Sequence, residues 1–260
     1  MKYPLLAETA LLTHGLTTIS NDRLRKQFPE NFSWLVWVDQ GEIVIGNIDS
    51  FLPFRNRGAE LLRIDSDMVD QALQNKSSGA LTASGTIAVA ARWGVPLVVT
   101  AGMGGIDKIE ASRMSNDLMA LATFPVSLIA TAPKDMLNLS ATVNWLKDHG
   151  IKVLGNDRDV CDGFVFSGET VKLSGKYSGT IPVQGGVLVL NSIPSNRRFT
   201  DKKILDQAIV RGEAARRKGQ LFHPAVNKTL DELTGGKSGE MQLQSFIDNI
   251  HLALAAKLSF

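Results

Sequence analysis

The sequence predicts an α/β protein: a three-layer α/β/α sandwich with a central, mainly parallel sheet, plus a small β-hairpin region. Three observations carry this. Short apolar runs such as Val95-Pro96-Leu97-Val98-Val99-Thr100, Pro125 to Thr131 and Gly185 to Asn191 alternate with amphipathic stretches of helical length. The run at 95–100 gives way to a glycine-rich turn, Thr100-Ala101-Gly102-Met103-Gly104-Gly105-Ile106, the arrangement that puts α/β chemistry at strand carboxyl ends. The 260 residues show no internal repeat and no low-complexity tract, so one domain over 1–260 is expected.

In chain order, the apolar opening Tyr3 to Gly15 contains one carboxylate, Glu8, and one imidazole, His14. A carboxylate is costly to bury unless paired or protonated, so Glu8 is either a raised-pKa proton donor or an exposed strand-edge residue. Asn21 to Phe32 reads as an amphipathic helix capped by Ser20 or Asn21. Trp34 to Asp39 and Glu42 to Gly46 flank Gln40-Gly41, which predicts a hairpin. Asn47 to Glu60, with Pro53 and Gly58, is expected to be a loop, and Arg55, Arg57 and Arg63 are candidates for facing a ligand. Ser77 to Trp93 opens with small residues and continues as an apolar helix; this suits close packing or an anion at the helix amino end.

Strand Val95 to Thr100, helix Asn116 to Ala122, strand Pro125 to Thr131, helix Leu139 to His149 and strand Ile151 to Leu154 follow. Beyond a weaker β region at 163–173 and the strand at 185–191, helices are expected over 201–218, 224–233 and 242–258. The basic residues between Arg211 and Lys218 are interrupted by Glu213 and read as a solvated helix face.

Composition narrows the function. A formal charge of +2, with 44% apolar and 21% charged residues, gives no electrostatic footprint for nucleic acid or an anionic membrane. The single cysteine, Cys161, excludes an internal disulfide and suits a reducing compartment. No signal-peptide pattern or membrane-length apolar run is seen, so a cytoplasmic location is expected. The Gly-x-Gly-Gly turn lacks dinucleotide spacing, no Gly-Lys-Ser/Thr follows it, the four histidines are scattered, and no Gly-x-Ser-x-Gly occurs. What remains is Lys134, directly after a strand, where a partly dry pocket can turn an amine into a nucleophile and an open surface leaves it a solvated cation.

Several motifs, in order, resemble the pseudouridine-5'-phosphate glycosidase family. Ala7-Glu8-Thr9-Ala10-Leu11-Leu12-Thr13-His14-Gly15 resembles its Leu-Glu-Ser-Thr-x-x-x-His-Gly opening, Thr100 to Ile106 its Thr-Gly-Gly-Ile-Gly-Gly-Val turn, and Met114 to Leu118 its Ile-Ser-Ala-Asp-Leu. Ala130 to Leu137 resembles Cys-Ala-Gly-Ala-Lys-Ser-Ile-Leu, Gly185 to Pro194 resembles Gly-Gly-Val-Leu-Val-Ala-Asn-Pro-Ile-Pro, and Glu232 to Ser238 resembles Glu-Leu-Thr-Gly-Gly-Arg-Ser. The resemblance implies cleavage or formation of the carbon–carbon bond between ribose 5-phosphate and uracil, with Lys134 as nucleophile and Glu8 as proton donor. It implies substrate contacts from Ser115, Asn116 and Asp117 and from Thr82 and Ala83, a small-molecule sugar-phosphate or C-nucleotide partner, and a homotrimer. Three departures stand out. Arg113 occupies the place of the family's manganese-binding aspartate; the expectation is therefore that no metal is used and that Arg113 holds phosphate instead. Arg63 aligns with a substrate-binding lysine. The loop after Gly105 is two residues shorter, and a family histidine is replaced near Asp107. Two alternatives keep the same pocket: a C-glycosynthase joining the sugar phosphate to another acceptor, and a noncatalytic sugar-phosphate-binding protein.

Overall fold

The computed structural model describes residues 3–259. Ten strands form its main sheet: β1 (Leu6–Ala7), β2 (Leu35–Asp39), β3 (Glu42–Gly46), β4 (Leu62–Ile64), β5 (Gly79–Leu81), β6 (Leu97–Val99), β7 (Ser127–Ala130), β8 (Lys152–Gly155), β9 (Gly175–Lys176) and β10 (Val187–Leu190). The order is β9-β8-β10-β7-β6-β1-β2-β5-β4, with β3 on β2. Every neighbour pair from β9 to β2 is parallel. Only the pairings of β2 with β3 and β5 are antiparallel. Leu97, Val98 and Val99 are buried, as a central strand covered on both faces requires.

Nine helices are described: α1 (Asn21–Gln27), α2 (Ile48–Arg55), α3 (Val69–Gln74), α4 (Ala83–Arg92), α5 (Asn116–Thr123), α6 (Leu139–Asp148), α7 (Lys202–Arg217), α8 (Phe222–Thr234) and α9 (Lys237–Ala255). Both α4 and α9 pack on β6, and α7 packs on α8. Thr82 caps α4, Ser115 caps α5, Asn138 caps α6 and Asp201 caps α7, each accepting a backbone N–H of the first turn.

The expected hairpin is present, with Gln40 (φ 51°) and Gly41 (φ 80°) both left-handed, as a two-residue turn requires. It joins the main sheet through β2 rather than standing apart. Elsewhere the expectations need correcting. The first helix stops at Gln27, because Phe28 precedes Pro29 and is pushed into extended backbone (ψ 143°). Residues 47–60 are not all loop. Asn47 caps α2, and although Pro53 lies inside that helix, at a cost of about 3 kcal/mol, Ile48, Phe51, Leu52 and Phe54 are all buried. Burying each contributes about 1.5–3 kcal/mol, and together they win. The 163–173 region forms no continuous strand: it makes one isolated bridge, Phe166 with Phe199, and a two-residue ladder at its end, Val171–Lys172 with Val160–Cys161. The last helix begins earlier than expected, at Lys237, and ends at Ala255; Lys257–Ser259 pairs instead with Thr180–Pro182.

Candidate active site

Parallel strands bring distant residues to one edge. Glu8 leaves β1 with its N–H bonded to Val99 O (3.1 Å), and Thr100 leaves β6 with its N–H on Ile129 O (3.0 Å). The two side chains meet: the Thr100 hydroxyl donates to Glu8 Oε1. Glu8 is 6% exposed, and burial raises its pKa from 4.5 to about 7; the Thr100 hydrogen bond and the Lys134 charge pull it down without cancelling that effect.

Lys134 follows Ala132–Pro133, which runs parallel to Gly102–Met103 of the glycine-rich turn, and its N–H donates to Met103 O (3.0 Å). A Cβ at position 102 would stand 2.6 Å from the Phe164 ring and 3.1 Å from Lys134 Cγ, so glycine there lets the lysine stem pass. Burial, then the Arg63 charge, lowers the Lys134 pKa. Among the described residues Glu8 and Lys134 form no ion pair. Both shifts run toward the neutral forms, and in each case the opposite charge of the partner works against the shift.

Asp117 braces this arrangement from behind. Its Oδ2 accepts the Gly104 N–H (2.7 Å) and its Oδ1 the Ser84 N–H (2.9 Å), tying the turn to the amino end of α4. Thr82 donates to Asp65 (2.7 Å), which also pairs with Arg63 (3.0 Å). Thr82, Ala83 and Asp117 are buried and do not line the cavity; their placement is that of supports.

Two neighbouring cavities lie at this edge. The inner one, about 40 Å³, is lined by Glu8, Lys134, His14, Gly102 and Asn227, among others. The outer one, about 240 Å³, is lined by Arg113, Ser115, Asn116, Asp107 and Arg216. Arg63 and His223 line both. Arg113 pairs with Glu110 (2.7 Å); Arg216 lies over the Phe222 ring (4.1 Å) and approaches Asp107 (3.6 Å). Asn116 donates to Asp67 (2.9 Å). Burial, with the charges of Lys134, Arg63 and Arg216, pushes the His223 imidazole well below its ordinary range and so favours its neutral form.

Other candidates lie elsewhere. Arg55 donates to the carbonyls of Leu12, Leu16 and Ile19, and Arg57 pairs with Asp39; both hold local structure. Cys161 is fully buried, with its thiol pKa raised by that burial. The basic stretch of α7 divides: Arg211 pairs with Glu232 on the surface, whereas Arg216 turns into the cavity, which corrects its reading as a solvated face. Arg216, His223 and Asn227 were not singled out by the sequence, since none sits in a chemical motif; the one signal was the basic density around Arg216. As for manganese, a guanidinium stands at the aligned ligand position. No group of three or more His, Cys, Asp or Glu that could hold a metal ion is found among the described residues.

A carboxyl group and a lysine at the strand ends of a parallel sheet, beside a chamber walled by Arg63, Arg113 and Arg216 with Asp65 and Asp107, make this edge the candidate active site of an α/β protein. The model of the indigoidine synthase A like protein family matches residues 3–259, and the chain belongs to that family, as a divergent relative of the pseudouridine-5'-phosphate glycosidases. It is 23% identical over 270 residues to pseudouridine-5'-phosphate glycosidase of Alkaliphilus metalliredigens, covering 95% of this chain and 88% of that protein. With the enzyme of the same name from Mycoplasmopsis agalactiae it shares 25% over 286 residues, covering 100% and 94%. Its fold matches an indigoidine synthase A-like protein from Thermotoga maritima (TM-score 0.78, 21% identity, 97% of this chain and 92% of that one). It also matches the prealnumycin C-glycosynthase AlnA, solved in complex with ribulose 5-phosphate (TM-score 0.76, 20% identity, 97% and 90%). At family level the chain is a glycosyl-bond-acting enzyme. No helix among the described residues is long and apolar enough to cross a membrane.

Proposed function

We propose that the protein cleaves, or reversibly forms, the C–C glycosidic bond of a C-nucleoside 5'-phosphate such as pseudouridine 5'-phosphate, giving uracil and ribose 5-phosphate. One observation carries this: Glu8 and Lys134, both driven toward neutrality, share an inner chamber that opens onto Arg63, Arg113 and Arg216. Such a bond has no leaving heteroatom to protonate, so a two-carboxylate glycosidase mechanism does not serve. In the proposed sequence the Lys134 amine attacks C1' and the bond from C1' to the ring oxygen breaks, with the proton of Glu8 going to that oxygen. The adduct nitrogen then gives a proton to the Glu8 carboxylate, and its lone pair forms a C=N bond to C1' as the C1'–C5 bond breaks and Glu8 delivers that proton to the base carbon, releasing uracil. Water hydrolyses the imine to ribose 5-phosphate and returns the amine.

The outer chamber takes the phosphate, with Arg113 and Arg216 supplying fixed positive charge where the family's metal would sit, and Ser115 and Asn116 lining it. The reading includes no metal cofactor, a cytoplasmic location and a homotrimer. Run in reverse with another acceptor, the same acid and amine make a C-glycosynthase. The test is borohydride reduction in the presence of ribose 5-phosphate, followed by peptide mass mapping. A reduced pentose-phosphate adduct on Lys134 is expected, and its absence would favour a noncatalytic binding protein. Product formation with uracil against a panel of other acceptors separates glycosidase from synthase.

A further inference from the structure

A ligand whose electrophilic carbon sits at Lys134 and whose anion sits by Arg113 and Arg216 must lie, at its middle, between the two residues common to both chambers, Arg63 and His223. In a pentose 5-phosphate that middle is the hydroxyl-bearing chain. Arg63 is already engaged with Asp65 (3.0 Å). His223 is not engaged: its Nδ1 is buried and has no hydrogen-bond partner. Its ring stands edge-on to Phe222 (5.3 Å between centroids, 73° between planes), and Pro224 follows it, so the imidazole is held rather than free to swing away. Nδ1 is closed to solvent and Nε2 likewise makes no hydrogen bond, so Nε2 is the ring nitrogen that a ligand in the cavity can reach.

We propose that His223 reads a sugar hydroxyl of the ligand, its Nε2 forming a hydrogen bond to one of the hydroxyls between the reacting carbon and the phosphate. The inference rests on the sugar-phosphate reading above. A neutral imidazole has one donor and one acceptor nitrogen, and a hydroxyl can partner either, so the match holds for both tautomers. Phosphate oxygens are the poorer candidate, because Lys134, Arg63 and Arg216 all oppose protonation of the ring. His223 is thus a polar group, placed between the two chambers, suited to discriminate by hydroxyl pattern rather than by charge.

The experiment compares ribose 5-phosphate with its 2-deoxy and 3-deoxy analogues in the wild-type protein, in His223→Phe, which keeps a flat ring without polar atoms, and in His223→Asn, which keeps a donor and an acceptor. Affinities are read by calorimetry and folding by thermal melting. The wild type is expected to favour ribose 5-phosphate over at least one deoxy analogue by about tenfold. In H223F that ratio should fall to near one, with the affinity for the deoxy sugar little changed, and H223N should retain part of it. An unchanged ratio in H223F, or an equal loss for all three sugars, overturns the proposal. A wild type that forms the Lys134 adduct but does not discriminate overturns this inference alone; one that binds no sugar phosphate overturns it together with the reading beneath it. Should H223F fail to fold, the same ratio in His223→Ala decides.

Discussion

The Thr100 hydroxyl donates to Glu8 Oε1, and Asn249 fixes Thr100 in turn by donating to its carbonyl at 2.7 Å. The acid is therefore oriented by two residues from other parts of the chain. It sits in surroundings dry enough to raise its pKa to about 7.

Glu8→Gln is expected to lower turnover by about 10²–10⁴, the usual contribution of a positioned acid, while stabilising the protein at alkaline pH. The sign follows from the raised pKa. Below about pH 4.5 the carboxyl is protonated folded and unfolded, and it contributes no difference. Between there and about pH 7 the unfolded chain ionises first, so stability is lost as pH rises, by up to about 3 kcal/mol. Gln keeps the acceptor for Thr100 and cannot ionise. Urea unfolding at pH 8 should show E8Q more stable than wild type by up to that amount, and unfolding at pH 4 should show no difference. Wild-type turnover should decline through pH 7 on its alkaline side.

Lys134→Gln should abolish the borohydride-trapped adduct and lower turnover by roughly 10⁴ or more, as loss of a covalent nucleophile does. Arg63 helps hold the Lys134 pKa down. Arg63→Gln should therefore move the pH midpoint of adduct formation upward, because the amine form is then reached only at higher pH. A midpoint that stays put or moves down would mean that the Arg63 charge does not reach Lys134.

Arg113→Asp restores the acidic residue of the wider family at that position. It should weaken ribose 5-phosphate binding by about tenfold or more, the loss of one charge-assisted contact, and added manganese should not restore it. A chelator should leave wild-type binding unchanged. Both are read by calorimetry with and without the metal; manganese-dependent wild-type binding would contradict the proposed role of Arg113.

What the sequence made legible here, and what it hid, follows from how each residue reaches the site. Glu8 and Lys134 directly follow strands, but the local pattern left both open; motif resemblance singled them out, and the structure places both on one cavity. Asp117 was also found through its motif, but its role depends on two amides, those of Gly104 and Ser84, whose positions only the packed turn and helix define. Arg216 and His223 belong to α7 and the start of α8; their approach depends on how that helix pair docks, and nothing in the local sequence separates Arg216 from the surface Arg211. The helix at Ile48–Arg55 was masked by Pro53, a local signal outweighed by four buried apolar side chains.

Gly104 offers a test of the turn itself. A Cβ there would lie 2.0 Å from Ser115 Oγ, 2.3 Å from Ser115 Cβ and 3.0 Å from Asp117 Oδ2. Ser115 caps α5 and its N–H bonds to Gly105 O (3.0 Å), so neither side can yield without loosening the other. Overpacking costs about 1–3 kcal/mol, and weakening the Gly104 N–H bond to the Asp117 carboxylate adds a comparable amount. Gly104→Ala should therefore destabilise by about 3 kcal/mol. It should also depress turnover in the folded fraction, because the displaced Gly102–Met103 segment carries the partner of the Lys134 backbone. Ser115→Gly removes the obstructing Cβ and hydroxyl and by itself costs only a few tenths of a kcal/mol at a cap position. If the clash is the cause, the double variant G104A/S115G is more stable than G104A alone in urea unfolding, even though it has lost a capping side chain. Additive losses would instead place the damage in the Asp117 bond.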